Sequence, residues 1–335
     1  MLQASEFAAI AAHAGLIDRS DRVRLEINGP DRARFLHNLT TNEVKRLPAG
    51  RGCEAFVTSL QGKIIAYVIL LVTEDRILVG MDPASQVDAL AHLRKYGVFD
   101  DVAIEDRGPA TFELHLAGPD AAELIRRAGG RVPEEMDHAH IMTELEGSPV
   151  RVVRESPTVL PGYTLMGETP AKEPVRELLL RIGQGFGLVT VDPESFEVLR
   201  IEAGTPVFGK DVTDKNLPQE IGRDDRAINF VKGCYLGQET VARIDALGHV
   251  NQVMKGLQFD EQTPCPLPGS PLESEGKRAG VITSAAFSPV RNAPVALGLI
   301  RTTHALAGTR LQVEKSGGAT STEATVCDLP MSGRP

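Results

Sequence analysis

The stretch FVKGCYLGQETVARI, residues 230–244, sets one cysteine between two glycines, with a lysine two positions before it and Gln238-Glu239 shortly after. The apolar run INFV reads as a strand and ETVARI as a helix, so Cys234 is expected in a strand-to-helix connection. Gly233 and Gly237 admit backbone angles closed to other residues. A helix N-terminus supplies partial positive charge and Lys232 a full one, and both favour thiolate over thiol. Those are the conditions for a nucleophile, a redox group or a soft-metal ligand. The competing reading makes Cys234 a small buried hydrophobe, the usual fate of a free cysteine. Glu239 and Arg243, four apart, can pair along one helix face for a few tenths of a kcal/mol. Gln238 can cap or bind, and spacing alone does not choose.

The surrounding composition is that of an ordinary globular protein, with 42% hydrophobic and 24% charged residues in a chain of 335. That length exceeds what one core organises, so two or three units are expected. A net charge of -9 argues against a nucleic-acid grip, which needs a clustered excess of Lys and Arg. Aromatic content of 4% with no Trp disfavours a base-stacking platform. A small ligand or another protein is the expected partner, with no direct nucleic acid and no membrane. The longest apolar run, IIAYVILLV at 64–72, suits a buried strand and is too short for a bilayer. The opening MLQASEFAAIAAHAG lacks a secretory leader's basic region and apolar core, which points to a cytoplasmic location. Cys53, Cys234, Cys265 and Cys327 lie far apart without a C-x-x-C pair, as expected of reduced thiols. Asn38-Leu39-Thr40 is then an accidental glycosylation match.

Along the chain, VRLEINGPDRARFLHNL and FELHLAGPDAAELIRRAGG repeat one pattern: alternating strand, Gly-Pro-Asp, helix. Proline at the first helical position fits both. Strand-like runs at 54–60, 63–72 and 75–81, joined at Gln61-Gly62 and Glu74-Asp75, precede a helix from Ser85 to Tyr96. Strands followed by helix in one sheet imply α+β. The glycine cluster Gly183-Gln184-Gly185-Phe186-Gly187 ends the helix PVRELLLRI and is read as a helix stop, since a dinucleotide fingerprint needs a strand before it. From about Asn251 the alternating runs GVITSAAF, PVALGLI and RLQVE indicate a small antiparallel β unit.

KGCYLGQETVAR, residues 232–243, resembles the signature of the YgfZ family, folate-binding proteins related to the T-protein of the glycine cleavage system. FLHNLTTNEV, FVTSLQGKIIAYVIL, LRIEAGTPVFGKDVTDKNLPQEIG and GVITSAAFSPVRNAPVALGLIR resemble further segments of that superfamily. The resemblance implies three units in a pseudo-threefold ring. Two are ferredoxin-like α+β lobes discontinuous in sequence, 1–50 with 120–200 and 51–119 with 201–250. The third, 251–335, is an antiparallel β-barrel. A tetrahydrofolate, or a derivative, is implied in the central channel.

Two departures separate the chain from T-proteins proper. Their central hairpin carries an Asp-Asp pair where this one has Ala66-Tyr67, and their Gly-Tyr-Thr-Gly-Glu motif reads Gly162-Tyr163-Thr164-Leu165-Met166 here, leaving Glu168 as a substitute candidate. The resemblance to the YgfZ family implies a factor that supports iron-sulfur cluster synthesis or repair in selected enzymes, including radical methylthiotransferases acting on tRNA. It is not expected to be a conventional enzyme. A folate-dependent aminomethyltransferase or demethylase is the alternative, and a folate-sensing protein in which Cys234 only packs is a third.

In the first reading Cys234 presents its sulfur to the folate cavity as the reactive or cluster-contacting thiol. Lys232 lowers its pKa, Gly233 and Gly237 shape the loop, and Gln238 and Glu239 orient it. One thiolate cannot hold a cluster alone, so no resident metal is expected and the contact is transient. Arg200, Glu202, Glu220 and Tyr235 are the folate candidates. Arg200 serves equally well in a salt bridge between lobes, with Glu202 exposed, and Glu220 has a similar alternative. Asp137-His138-Ala139-His140 reads as a solvated loop.

Overall fold

The computed structural model describes residues 3–248, 250–261, 263–313 and 322–331. The chain opens with α1 (Ala4–Ala12) and β1 (Ala14–Asp18). It continues through β2 (Val23–Asn28), α2 (Arg32–Leu39), β3 (Arg51–Thr58), β4 (Ile64–Val72), β5 (Arg76–Met81), α3 (Gln86–Tyr96) and β6 (Ala103–Asp106). A second run holds β7 (Thr111–Ala117), α4 (Ala121–Arg127), β8 (His140–Leu145), β9 (Ser148–Arg154), β10 (Gly162–Glu168), α5 (Lys172–Gly183), β11 (Leu188–Val191) and α6 (Pro193–Ala203). After α7 (Asp224–Ala227) and α8 (Gln238–Leu247) come β12 (Gln252–Gln258), β13 (Pro271–Ser274), β14 (Lys277–Ser288), β15 (Ala293–Arg301), β16 (Arg310–Val313) and β17 (Thr322–Cys327).

These strands form two open sheets, ordered β3-β4-β5-β2-β6 and β11-β1-β7-β10-β9-β8, and a closed barrel, β12-β15-β14-β13-β16-β17. The class is α+β with a C-terminal antiparallel barrel, as the sequence predicts. The lobe boundaries differ from those expected. Residues 23–106 build one lobe that is continuous in sequence, and only the other is discontinuous, joining 4–18 to 111–191. The cause is strand pairing: β1 bonds β7 on one edge and β11 on the other, which carries the first strand away from its neighbour β2. Among the described residues no helix is long and apolar enough to cross a membrane.

Each open sheet has two unlike faces, as period-two alternation dictates. In β2, Val23, Leu25 and Ile27 pack with Leu36 of α2 and Leu93 of α3, while Arg24 and Glu26 alternate onto the opposite face. In β7, Phe112, Leu114 and Leu116 pack with Leu124 of α4 and Leu178 of α5, while Glu113 and His115 take the other face. The two charged faces meet: Arg22 reaches Glu113 at 3.2 Å and Arg107 reaches Glu168 at 2.8 Å across the gap. Arg24 and Glu113 are only 4% and 2% exposed, so strand charges that look solvent-facing in sequence lie inside the molecule.

The repeated Gly-Pro-Asp element has one geometry in both lobes. Gly29 and Gly118 sit at φ +104° and +131°, where a Cβ would come within 2.2 Å of the Asp101 carbonyl and 2.4 Å of the His13 carbonyl. Asp31 and Asp120, not the prolines, stand at the N-cap positions, without a side-chain bond to the helix. Their carboxylates bond the same two segments, at Asp101 N (3.0 Å) and His13 Nδ1 (3.1 Å). Gly118→Ala is expected to cost about 2 kcal/mol or more through backbone strain and the carbonyl clash. Calorimetry should show a lowered thermal midpoint, and an unchanged one would contradict this account.

Candidate functional site

A central cavity of about 830 Å3 opens between the lobes and the segment running from α6 to α7. Its floor holds Glu54 of β3, which is 3% exposed, and Tyr67 of β4. The Tyr67 hydroxyl donates to Glu54 Oε2. Arg223 Nη1 donates to both carboxylate oxygens at 3.1 and 3.3 Å, and Arg226 Nη2 lies 2.6 Å from Oε1. His138 Nε2 lies 3.5 Å from the same oxygen. Burial alone would push the Glu54 carboxyl up, but His138, Arg223 and Arg226 together hold it well below the usual carboxylate range. Burial pushes the Tyr67 hydroxyl far up, so it remains a donor.

A second carboxylate, Glu155, lines the cavity just past β9. It accepts from Arg19 Nη1 at 2.7 Å and from Thr164 Oγ1 at 2.8 Å. Against the effect of burial, Arg19 and Arg22 keep it ionised. His115, bonded to Thr164 at 2.9 Å, is driven down to about 3 by burial and is neutral at pH 7. Thr164 belongs to the Gly162-Tyr163-Thr164 stretch that lacks its expected acid. The acid bonded to Thr164 is Glu155, from upstream, while Glu168 points to Arg107 at 2.8 Å and does not line this cavity.

The cysteine loop corrects several expectations. No strand precedes it: residues 228–237 bond the end of α2 and the segment after it. Asn229 N donates to Thr41 O at 2.9 Å and Leu236 N to Asn38 O at 2.8 Å. Gly237, at φ +85°, lets the loop approach the β3–β4 turn so closely that a Cβ would lie 2.4 Å from Ser59 O. Lys232 is buried, and its three N–H groups are taken by the carbonyls of His37 (2.6 Å), Thr40 (2.6 Å) and Asn42 (2.8 Å). Burial lowers it to about 8. Its role is therefore to clamp the loop, not to stand free beside the thiol.

Cys234 is exposed, as is Gly233, but it is not among the residues lining the central cavity. Gln238 opens α8 with its N–H on Tyr235 O at 3.2 Å, and Glu239 is an exposed acid in the first turn, where it complements the helix dipole.

The remaining folate candidates are ties between units. Arg200 is fully buried and spends all five N–H groups on Glu197, Thr205 O, Asp211 and Ser284, leaving none for a ligand. Glu202 is buried, not exposed, and accepts from Ser288 of the barrel at 3.0 Å. Glu220 accepts from Asn216, Leu217 N and Gln252 at 2.9, 3.2 and 3.3 Å. Tyr235 is buried under Lys232, whose Nζ lies 4.7 Å from the ring centre. The stretch read as a solvated loop is instead part of the site, with His138 and His140 buried and His138 held at φ +58°. Sequence reasoning missed Glu54, Glu155, Arg19, Arg223 and Arg226. The available signal was one acid inside the apolar strand CEAFVT, and two arginines three apart in IGRDDRA.

The arrangement is two α+β lobes around a cavity that carries buried charged side chains, with a barrel tied to them through Arg200. Residues 2–232 match the family model of the GCVT N-terminal domain, and residues 253–332 match that of the glycine cleavage T-protein C-terminal barrel domain. The chain belongs to the glycine cleavage T-protein family. It is 27% identical over 337 residues to the aminomethyltransferase of Cutibacterium acnes, covering 97% of this chain and 89% of that one. A chloroplastic protein of Arabidopsis thaliana, provisionally described as a transferase, is 28% identical over 271 residues, covering 80% of this chain and 61% of its own length. The crystal structure of glycine cleavage system aminomethyltransferase T from Bartonella henselae shares the fold with a TM-score of 0.85 at 23% identity, over 98% of this chain and 89% of that one.

Two outcomes follow from these environments. Glu54 and Glu155 have folded pKa values depressed below the unfolded value of about 4.3, so their stabilisation is complete above that pH and is lost as pH falls through it toward the folded values. The thermal midpoint should drop steeply below about pH 4. Glu54→Gln should cost about 3 kcal/mol at neutral pH and flatten that drop, and a profile like the wild type's would contradict the assignment. Burial raises the thiols of Cys53 and Cys327 to about 12 and about 11. Mass-spectrometric mapping of iodoacetamide labelling at pH 7.5 should therefore find Cys234 modified well before either, and early labelling of Cys53 would show that its burial is wrong.

Proposed function

We propose that this protein binds tetrahydrofolate or a derivative in the central cavity and supports synthesis or repair of iron-sulfur clusters in selected enzymes. In this reading Cys234 is the thiol that meets a client or carrier, such as a radical methylthiotransferase. The observation that carries the proposal is a shared strut. Lys232 of the cysteine loop holds the carbonyls of Thr40 and Asn42, and the Asn42 side chain donates to Glu54 O and Arg226 O, both at 2.8 Å. A ligand that shifts Arg226 or β3 therefore acts on the segment that anchors the loop. The cavity suits a reduced pterin: Ile69, Phe196 and Phe208 offer apolar walls, and Glu155 offers an acceptor at its edge.

Aminomethyl transfer, the activity for which several relatives are named, is the second reading. It is favoured by a carboxylate, Glu54, beside position 67. Arg223, Arg226, His138 and Tyr67 already surround both oxygens of that carboxylate, which weakens it as a base. The test has two arms. Purified protein given tetrahydrofolate and an aminomethylated lipoyl carrier is expected to form no methylenetetrahydrofolate, and steady formation would overturn the proposal. In a deletion strain, Cys265→Ala is expected to restore cluster-dependent tRNA methylthiolation and Cys234→Ala to fail. Full restoration by Cys234→Ala would remove the thiol from the function.

A further inference from the structure

Cys234 is tied on both sides to the end of α2. Two residues before it, Lys232 Nζ donates to His37 O at 2.6 Å, and two residues after it, Leu236 N donates to Asn38 O at 2.8 Å. This short span lies over His37, which is 8% exposed. Among the described residues, apart from its chain neighbours, the one heavy atom that a Cβ on Gly233 would meet is Nε2 of that ring, at 3.8 Å. Gly237 needs its glycine for φ +85° and a close approach, but Gly233 has neither a positive φ nor a contact shorter than that one. What glycine does at 233 is leave Nε2 uncovered beside the exposed Cys234.

The other ring nitrogen is committed. His37 Nδ1 lies 3.0 Å from Glu43 Oε1, and the same oxygen accepts from Arg46 N at 3.1 Å, which fixes the carboxylate. Val44 N, 3.5 Å from Nδ1, is the weaker contact. The carboxylate therefore sets the tautomer, with the proton on Nδ1 and the lone pair on Nε2. The charged groups facing the ring are Glu43, Lys232 and Lys45. Burial and the two lysines hold its pKa below the usual value against the pull of Glu43, so the ring is neutral at pH 7 and can accept a proton. Among the described residues no hydrogen bond holds the exposed thiol away from the ring, and pairs of this kind tighten when the reacting partner arrives.

We propose that His37, oriented by Glu43, takes the proton of Cys234 when the thiol reacts. The S–H bond breaks, the proton bonds to Nε2, and the electron pair stays on sulfur for the group that a client or carrier presents. The imidazolium so formed lies between the thiolate and the Glu43 carboxylate, and both stabilise it. The inference rests on the reading of Cys234 as the working thiol. It is tested on the full chain carrying Cys265→Ala, by the rate of iodoacetamide alkylation at Cys234 as a function of pH, mapped by mass spectrometry. In this parent the rate is expected to fall less than tenfold from about pH 8 to about pH 6, because the thiolate-imidazolium pair persists below the ordinary thiol value of about 8.5. His37→Gln is expected to be about tenfold slower at pH 7, to lose about tenfold per pH unit like an isolated thiol, and to converge with the parent above about pH 9. Gly233→Ala, whose methyl meets nothing nearer than 3.8 Å, keeps the fold and is expected to move the profile the same way by covering Nε2. A His37→Gln profile that coincides with the parent's, or a coincident Gly233→Ala profile should the first variant unfold, overturns the role of His37 and leaves that of Cys234 standing. If Cys234 of the parent labels no faster than buried Cys53 at neutral pH, the reading of Cys234 falls and takes this inference with it.

Discussion

Charge cannot be buried in a protein unless something opposite meets it, and the two sheets here face one another through their charged sides. Every other residue of β2 and β7 serves a helix-covered core, and the intervening ones, Arg24, Glu26, Glu113 and His115, are turned into the space between lobes. Arginine-carboxylate pairs bridge that space. The cavities lie along this layer. Their walls carry a nearly balanced set of charges, and Glu54 stands out among them for the number of donors on its carboxylate.

The barrel is attached by the same means. A register shift between Ile282 and Ser284 lets Thr283 and Ser284 both reach Asp211, at 2.6 and 2.7 Å, and Asp211 in turn holds Arg200 at 2.6 Å. Glu202 and Glu220 make comparable ties to Ser288 and Gln252. Arg200, Glu202 and Glu220 thus tie the lobes to the barrel.

The cysteine loop owes its position to unpaired carbonyls at the end of α2. A helix C-terminus leaves acceptors without intrahelical donors, and an ammonium group with three N–H bonds is well matched to a cluster of them. Lys232 supplies that group, and the desolvation cost shows in its lowered pKa. Because Thr40, Thr41 and Asn42 also touch β3 and α7, the exposed thiol and the buried carboxylate share one rigid segment.

Local pattern was enough to determine many elements of this protein, although INFV, read as a strand, is not one. Alternation in VRLEIN and FELHLA, the Gly-Pro-Asp turns, the central hairpins and the strands beyond residue 251 all depend on neighbours in sequence, and the α+β class with its barrel follows from them. Lobe membership was not legible, because β1 is claimed by β7 and β11 through hydrogen bonds to strands nearly 100 and more than 170 residues away. The candidate site divided along the same line. Cys234 could be singled out from its glycine-flanked setting, but whether Lys232 stood beside it or turned inward depended on the carbonyls of a helix almost 200 residues earlier. Glu54 and Arg223 were invisible for the same reason: an acid in one strand and a base in a distant loop become a site only when folding closes the distance and excludes water.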